Sequence, residues 1–149
     1  MIIFMINNQN PIWEKFDLKN NLIKEYKYWN LLIRKNQVKL GSCVAILKRD
    51  AYPMSEITEE EMAEYALLTK EVENALQESF KPHTIHHLAL MFMDKQIHFH
   101  IFPRYTKKIN FAGIEWEDDN VPDPLVQKRE NVDQNLLNEI RDQIKSKML

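Results

Sequence analysis

Two glycines, Gly41 and Gly113, are all that this chain of 149 residues holds, where average usage would supply about ten. A phosphate cradle of the GxxxxGK[ST] or GxGxxG type needs several glycines within a few residues, because the backbone itself must approach the phosphate. Neither pattern can be written with two glycines so far apart. Walker-type and Rossmann-type cradles are therefore excluded. The length suits about one domain, and a single domain over 1–149 is expected. Apolar residues at 44% can fill one core, and charged residues at 28% keep a solvated surface.

The charge balance narrows the partners. With 20 basic and 22 acidic residues the net charge is −2, whereas an extended nucleic acid or an anionic membrane wants a surplus of positive charge. The lone Cys43 can form no intramolecular disulfide and no cysteine-rich zinc site, which suits a reducing compartment. No stretch approaches the roughly 20 apolar residues that span a bilayer. The opening run Met1 to Ile6 lacks a basic lead and meets Asn7 at once, a poor signal peptide. It is expected as a short strand or extended N-terminus, in a cytoplasmic protein.

Tyr26 to Ile33 reads as a strand and Val38 to Lys48 as a second, joined by a turn at 34–37 into an antiparallel hairpin. Thr58-Glu59-Glu60-Glu61 is a capping box. Met62, Ala66, Thr69, Val72, Leu76 and Phe80 follow at helical spacing, so a long helix is expected over about 58–80, ended by Pro82. Thr84 to Met93 and Gln96 to Phe102 form a second hairpin about a tight turn at Asp94-Lys95. Residues 106–130 read as an extended arm, with Glu115 to Asp119 as solvated loop. A final helix is expected from about Asp133 to Met148, with Leu136, Leu137, Ile140 and Ile144 on one face. The sum is an α+β domain with an antiparallel sheet, one long central helix and a C-terminal helix.

All five histidines fall between His83 and His100. Within Gln96-Ile97-His98-Phe99-His100-Ile101-Phe102-Pro103-Arg104, strand alternation puts Gln96, His98, His100 and Phe102 on one face and Ile97, Phe99 and Ile101 on the other. A row of polar groups about 7 Å apart is expensive to bury unpartnered, so it should line a cleft. His86 and His87 point to opposite faces of the preceding strand, so at most one can join it. Tyr26, Tyr28 and Trp29 read as sheet-packing residues.

This stretch resembles the signature of the HIT (histidine triad) superfamily, His-φ-His-φ-His-φ-φ, often followed by Pro-Arg, in a Gln-x-His-x-His variant. The similarity extends over roughly 26–113: Leu40-Gly41, an apolar strand ending Leu47-Lys48-Arg49, the long helix, Leu88 to Asp94 and Phe111-Ala112-Gly113 resemble a bacterial HIT-like group. Residues 114–149 then form a C-terminal arm and helix. The resemblance implies hydrolysis or nucleotidyl transfer at the α-phosphate of a nucleotide, for example a dinucleoside polyphosphate or a nucleoside phosphoramidate. It makes His98 the nucleophile of a nucleotidyl-histidine intermediate. His100 would contact phosphate or orient the backbone, and Arg104 would add positive charge near the mouth. It further implies a homodimer, a small nucleotide as ligand and no required cofactor, with magnesium acting only on the charge of a polyphosphate substrate.

The chain departs from the family pattern at four places. Gln96 replaces the first histidine, and an amide cannot act as a general acid. Ser42 stands where several HIT enzymes carry another histidine, and Ile33 near where an asparagine often binds nucleotide. The Asp94-Lys95 turn is also shorter than the loop that supplies phosphate donors in many of these hydrolases. Gln96, Ser42, Arg104 and His86 nonetheless remain candidates for the site, His86 as a replacement for the missing histidine. Two other readings stand beside the enzyme: a nucleotide-binding protein of the same fold with little turnover, and a metal enzyme using His98 and His100 with His86 or His87.

Overall fold

A computed structural model describes residues 10–126 and 130–148. The Met1 to Ile6 run lies outside them. Two short helical turns, α1 (Ile12–Lys15) and α2 (Leu18–Asn21), lead into β1 (Leu22–Glu25), β2 (Trp29–Ile33) and β3 (Cys43–Leu47). The long helix α3 (Glu59–Phe80) follows, then β4 (Thr84–Leu88), β5 (His98–Arg104), the small pair β6 (Ile109–Phe111) and β7 (Ile114–Trp116), and α4 (Gln134–Lys147). The main sheet runs β1-β2-β3-β5-β4, and every neighbouring pair in it is antiparallel.

The two sides of the sheet have different covers. Trp29, Leu31, Ile33, Cys43, Ala45, Leu47, Ile97 and Ile101 pack under α3 and α4. On the opposite side Leu32, Val44 and Ile46 are buried by Ile12, Trp13 and Phe16 of the N-terminal turns. Covered on both faces, β2 and β3 are apolar almost without alternation.

The capping box forms as the sequence requires: the Glu61 amide donates to Thr58 Oγ1 at 3.1 Å, and the Thr58 amide donates to Glu61 Oε1 at 2.9 Å. Lys81 closes the helix in the left-handed conformation ahead of Pro82. The buried stripe of α3 is Tyr65, Leu68, Val72, Ala75, Leu76 and Phe80. It is rotated from the expected one, so that Met62 and Ala66 face solvent.

Four other boundaries differ from expectation. The Tyr26 amide donates to the Trp29 carbonyl at 2.7 Å, which makes residues 26–29 a tight turn and leaves β1 as a separate strand. Residues 37–42 are also a turn, knotted around the Gln37 carboxamide. That group accepts from the Gly41 amide at 2.8 Å and donates to the carbonyls of Arg34 and Ser42. Gly41 has φ +87°, and a Cβ there would meet Leu76 Cδ2 at 2.9 Å, so both backbone and packing require glycine. The second hairpin pairs Thr84 with Arg104 and Leu88 with His100, but its connection is the whole segment 89–97 rather than a tight turn. Within the supposed arm, β6 and β7 pair about Ala112 and Gly113, both at positive φ, as a two-residue hairpin turn demands. Phe111 from this pair meets Phe80 edge-on at 5.2 Å.

Candidate active site

β5 carries the histidine row on the side of the sheet away from α3. Its register sets His98 beside Ile46 and His100 between Val44 and Leu88. The two imidazoles lean together, with ring centroids 4.9 Å apart in an edge-to-face arrangement, and His100 stacks on Phe102 at 5.7 Å. Phe16, at the end of α1, lies over both rings at 6.4 and 6.2 Å.

His98 Nδ1 lies 2.5 Å from the Gln96 carbonyl oxygen. A carbonyl only accepts, so Nδ1 carries the proton and Nε2 keeps its lone pair. Nε2 is buried and has no hydrogen-bond partner among the described residues. Burial moves the His98 pKa below the ordinary 6.5, which favours the neutral ring. Burial, followed by the charge of Arg34, takes His100 down to about 2. The row therefore presents two neutral imidazoles, one of them with a fixed tautomer and an unshared electron pair.

Gln96 sits at the end of that row, but its amide is engaged by the backbone. Nε2 donates to the Leu47 and Arg49 carbonyls, both at 2.7 Å, and Oε1 accepts from the Ala51 amide at 3.0 Å and from Asn10 Nδ2 at 3.4 Å. It is 1% exposed. Its carboxamide clamps residues 47–51 to the start of β5, and its main-chain oxygen orients His98.

Ser42 and Arg104, both expected to touch substrate, are engaged within the fold instead. Ser42 Oγ donates to the Lys39 carbonyl at 2.6 Å and accepts from the Lys39 amide at 3.2 Å, closing the 37–42 turn. Arg104 is buried and binds Asp118 through Nε at 2.7 Å and through a second nitrogen at 3.3 Å; it also reaches Asn120 and the Asp123 carbonyl. Lys39 Nζ meets the other side of the Asp118 carboxylate at 2.8 Å. Asp118 is thus the centre of a buried ion cluster rather than part of a solvated acidic loop.

His86 pairs with Phe102 and shares the face of the row. It stands four residues along from His98, about 13 Å on an extended strand, too far to stand in for the missing first histidine. His87 faces α3, where Nδ1 meets the Tyr65 hydroxyl at 2.6 Å and Nε2 meets Glu73 at 2.7 Å. Among the described residues, no three His, Cys, Asp or Glu side chains come together as a metal site. Nor is any described helix long and apolar enough to cross a membrane.

A cavity of about 590 Å³ opens beside His100, walled by Lys15, Phe16, Arg34, Lys35, Asn36, Asn131 and, from the 89–97 loop, Leu90, Phe92, Met93 and Asp94. Sequence reasoning missed Phe16, Arg34 and this loop as site elements. Arg34 follows β2 directly, its Cζ 4.9 Å from the centre of the Phe102 ring. Lys15 pairs with Asp94 at 2.7 Å, which ties α1 to the loop.

No family model and no curated protein matches the chain in sequence. Solved structures do match it in shape. A hypothetical histidine triad nucleotide-binding protein of Sulfolobus tokodaii strain7 superposes over 99% of this chain and 91% of its own, with a TM-score of 0.69 at 16% identity. A histidine triad (HIT) protein of Sinorhizobium meliloti 1021 does so over 91% and 94%, at 0.72 and 17%. The chain has the histidine triad fold. A histidine triad protein of Bradyrhizobium japonicum is similar again, over 88% and 92% of the two chains, with a TM-score of 0.69 at 20% identity. Within this fold His98 and His100 lie on β5 and Gln96 just before it, with the cavity at the His100 end of the row.

Proposed function

We propose that the protein transfers a nucleotidyl group from the α-phosphate of a nucleotide to water or another acceptor, with His98 as the nucleophile. The observation that carries this reading is the state of the His98 ring: Nδ1 is committed to the Gln96 carbonyl, and Nε2 is neutral and unshared. A nucleophile needs that electron pair at ordinary pH, without a proton to lose first. Attack forms a nitrogen–phosphorus bond, breaks the bond to the leaving group, and places positive charge on a ring whose Nδ1–H already faces an acceptor. Water then attacks phosphorus and returns the electron pair to Nε2.

Two features bear on efficiency. The Gln96 amide holds no acidic proton, so leaving groups that depart as stable anions are favoured over amines and alcohols. Phe16 covers His98, which has no solvent exposure, so a phosphate reaches Nε2 only when the Phe16 ring or α1 moves aside. That cover is also what favours the second reading, a nucleotide-binding protein of this fold with little turnover. The mechanism calls for no resident metal; magnesium would travel with a polyphosphate substrate. A homodimer is the assembly to test by sedimentation.

A panel of dinucleoside polyphosphates, nucleoside phosphoramidates and sugar nucleotides, followed for release of nucleoside monophosphate, tests the reading. Release from at least one class supports it. Binding of nucleotides without release from any class would leave the binding protein.

A further inference from the structure

The chain from residue 10 to residue 16 covers the histidine row without joining the sheet beneath it. Among the described residues, its backbone–backbone hydrogen bonds all close within residues 10–17. Its buried side chains Ile12, Trp13 and Phe16 pack on Leu32, Val44 and Ile46, in a small cluster separate from the main core. Lifting the segment opens that cluster alone and leaves the core under α3 and α4 intact. The segment ends at Asp17, a non-glycine residue in the left-handed region at φ +55°, where α1 stops and the chain turns into α2. Beyond that point α2 is moored on its own: Gln134 Nε2 donates to Asn21 Oδ1 at 3.0 Å, and Arg141 donates to the Asn20 carbonyl. Such a position at the end of an element is where a hinge absorbs its backbone change.

The covered position leaves polar groups dry. Trp13 Nε1, His98 Nε2 and His100 Nδ1 are buried and have no hydrogen-bond partner among the described residues. Each such atom counts against the closed state, and water reaches it once the segment lifts. Besides the apolar cluster, side-chain ties hold the segment at its two ends. Asn10 Nδ2 donates to Asp50 Oδ1 at 3.0 Å, and Lys15 Nζ meets Asp94 Oδ2 at 2.7 Å across side chains that are 48% and 22% exposed. An ion pair that exposed is weak and is screened by salt. It also lies within electrostatic reach of His98: behind burial, the main cause of the lowered pKa of that ring, Asp94 acts upward and Lys15 downward.

We propose that residues 10–16 form a lid, hinged at Asp17 and latched by the Lys15–Asp94 ion pair, that gates access to His98 according to ionic conditions. Phe16 moves with Ile12 and Trp13, whose cluster it shares. Rising salt, or an anion that draws Lys15 away from Asp94, shifts the population toward the open form. The gate is a property of the chain without ligand, so it stands or falls apart from the nucleotide reading.

Diethylpyrocarbonate, which acylates any neutral imidazole it can reach, tests this on the full chain, with the rate at each histidine read by peptide mass spectrometry. Exposed His83 is the internal standard, and His87, pinned between Tyr65 and Glu73 on the far face of the sheet, reports opening of the whole fold. In the wild type at low salt, His98 should react at least about tenfold more slowly than His83. Raising sodium chloride from about 0.02 to 0.5 M should speed His98 and leave His87 unchanged. Lys15→Met and Asp94→Asn should each speed His98 about two- to fivefold at low salt and abolish its salt response. These two variants change the charge beside the ring in opposite directions, so a direct effect on its reactivity would differ in sign where loss of a latch does not. The charge swap Lys15→Asp with Asp94→Lys should return His98 toward the wild-type rate. Phe16→Ala should speed it most of all. The proposal is overturned if wild-type His98 reacts as fast as His83, or if the two latch variants leave its rate unchanged or move it in opposite directions. It is overturned equally if His87 accelerates in step with His98, or if Phe16→Ala leaves His98 as slow as before.

Discussion

Replacing Gln96 by leucine keeps most of the side-chain volume and deletes the clamp between β5 and residues 47–51. Two donated bonds of 2.7 Å and one accepted bond of 3.0 Å disappear, in a position that water does not reach. At roughly 1 kcal/mol net for each bond, the loss is about 3 kcal/mol, and more if the freed Arg49 carbonyl or Ala51 amide stays dry. For a chain near 150 residues, about 2–4 °C accompanies each kcal/mol. Gln96→Leu should therefore melt about 6–12 °C below the wild type in a calorimetric scan. Gln96→His tests the same point from the other side. An imidazole offers at most one donor and one acceptor in its neutral form, so it cannot replace all three bonds. It too should lower the melting temperature, and it should not raise turnover. The reasoning is refuted if Gln96→Leu melts within about 2 °C of the wild type, less than the smallest loss of a single kcal/mol would allow. It is refuted equally if Gln96→His accelerates release from substrates with poor leaving groups, since the side chain would then face substrate rather than the backbone.

Other outcomes follow from the same geometry. Burial raises the Asp118 carboxyl, but hydrogen bonds from Arg104, Lys39 and the Tyr105 amide outweigh it and hold the pKa at about 2. Because the folded value lies below the unfolded one near 3.9, the stabilisation is full above about pH 4 and drains away as the pH falls toward 2. Asp118→Asn should cost about 3–5 kcal/mol in urea unfolding at pH 7, with a smaller difference from wild type at pH 3. Gly41→Ala should lose roughly 1–3 kcal/mol in the same assay, from the left-handed backbone and the contact with Leu76. Since burial lowers the His98 pKa, the acid limb of kcat/KM should fall below pH 6.5; a midpoint at or above 6.5 would contradict the neutral, dry ring.

The parts of the fold written in local chemistry are legible in the sequence. Thr58 and Glu61 announce a helix start because both ends of the capping box are specific polar contacts. The alternation through His98, Phe99, His100 and Ile101 sets a strand with two unlike faces, and the Asp133 cap with Leu137, Ile140 and Ile144 sets the last helix. The features that sequence does not reveal depend on contacts distant along the chain. Nothing local separates Asp118 from Asp119, yet the first is buried between Lys39 and Arg104 while the second lies exposed and reaches only Lys39, at 3.4 Å. Tyr26 and Tyr28 carry strand propensity, but a backbone bond from Tyr26 to Trp29 turns the chain between them. Phe16 and Arg34 enter the site because α1 folds back over the sheet and β2 lies two strands from β5. Alternation makes Gln96 a face residue, and it does lie at the end of the row; only the positions of Leu47, Arg49 and Ala51 reveal that its amide is occupied.

The central claim is that His98 Nε2 forms a bond to phosphorus, and its removal is the most direct test. A substrate identified in the panel should be turned over by the wild type and by His98→Ala under identical saturating conditions, with nucleoside monophosphate binding measured alongside. Loss of a bond-forming group costs several kcal/mol of the barrier, and each 1.36 kcal/mol is about tenfold in rate. His98→Ala should therefore bind the monophosphate and turn over at least about a thousandfold more slowly than the wild type. Acid-free quenching of the wild type should place the nucleotidyl group on His98 in peptide mass spectrometry. Turnover by His98→Ala at the wild-type rate, or a nucleotidyl group mapped to any other side chain, would contradict the account.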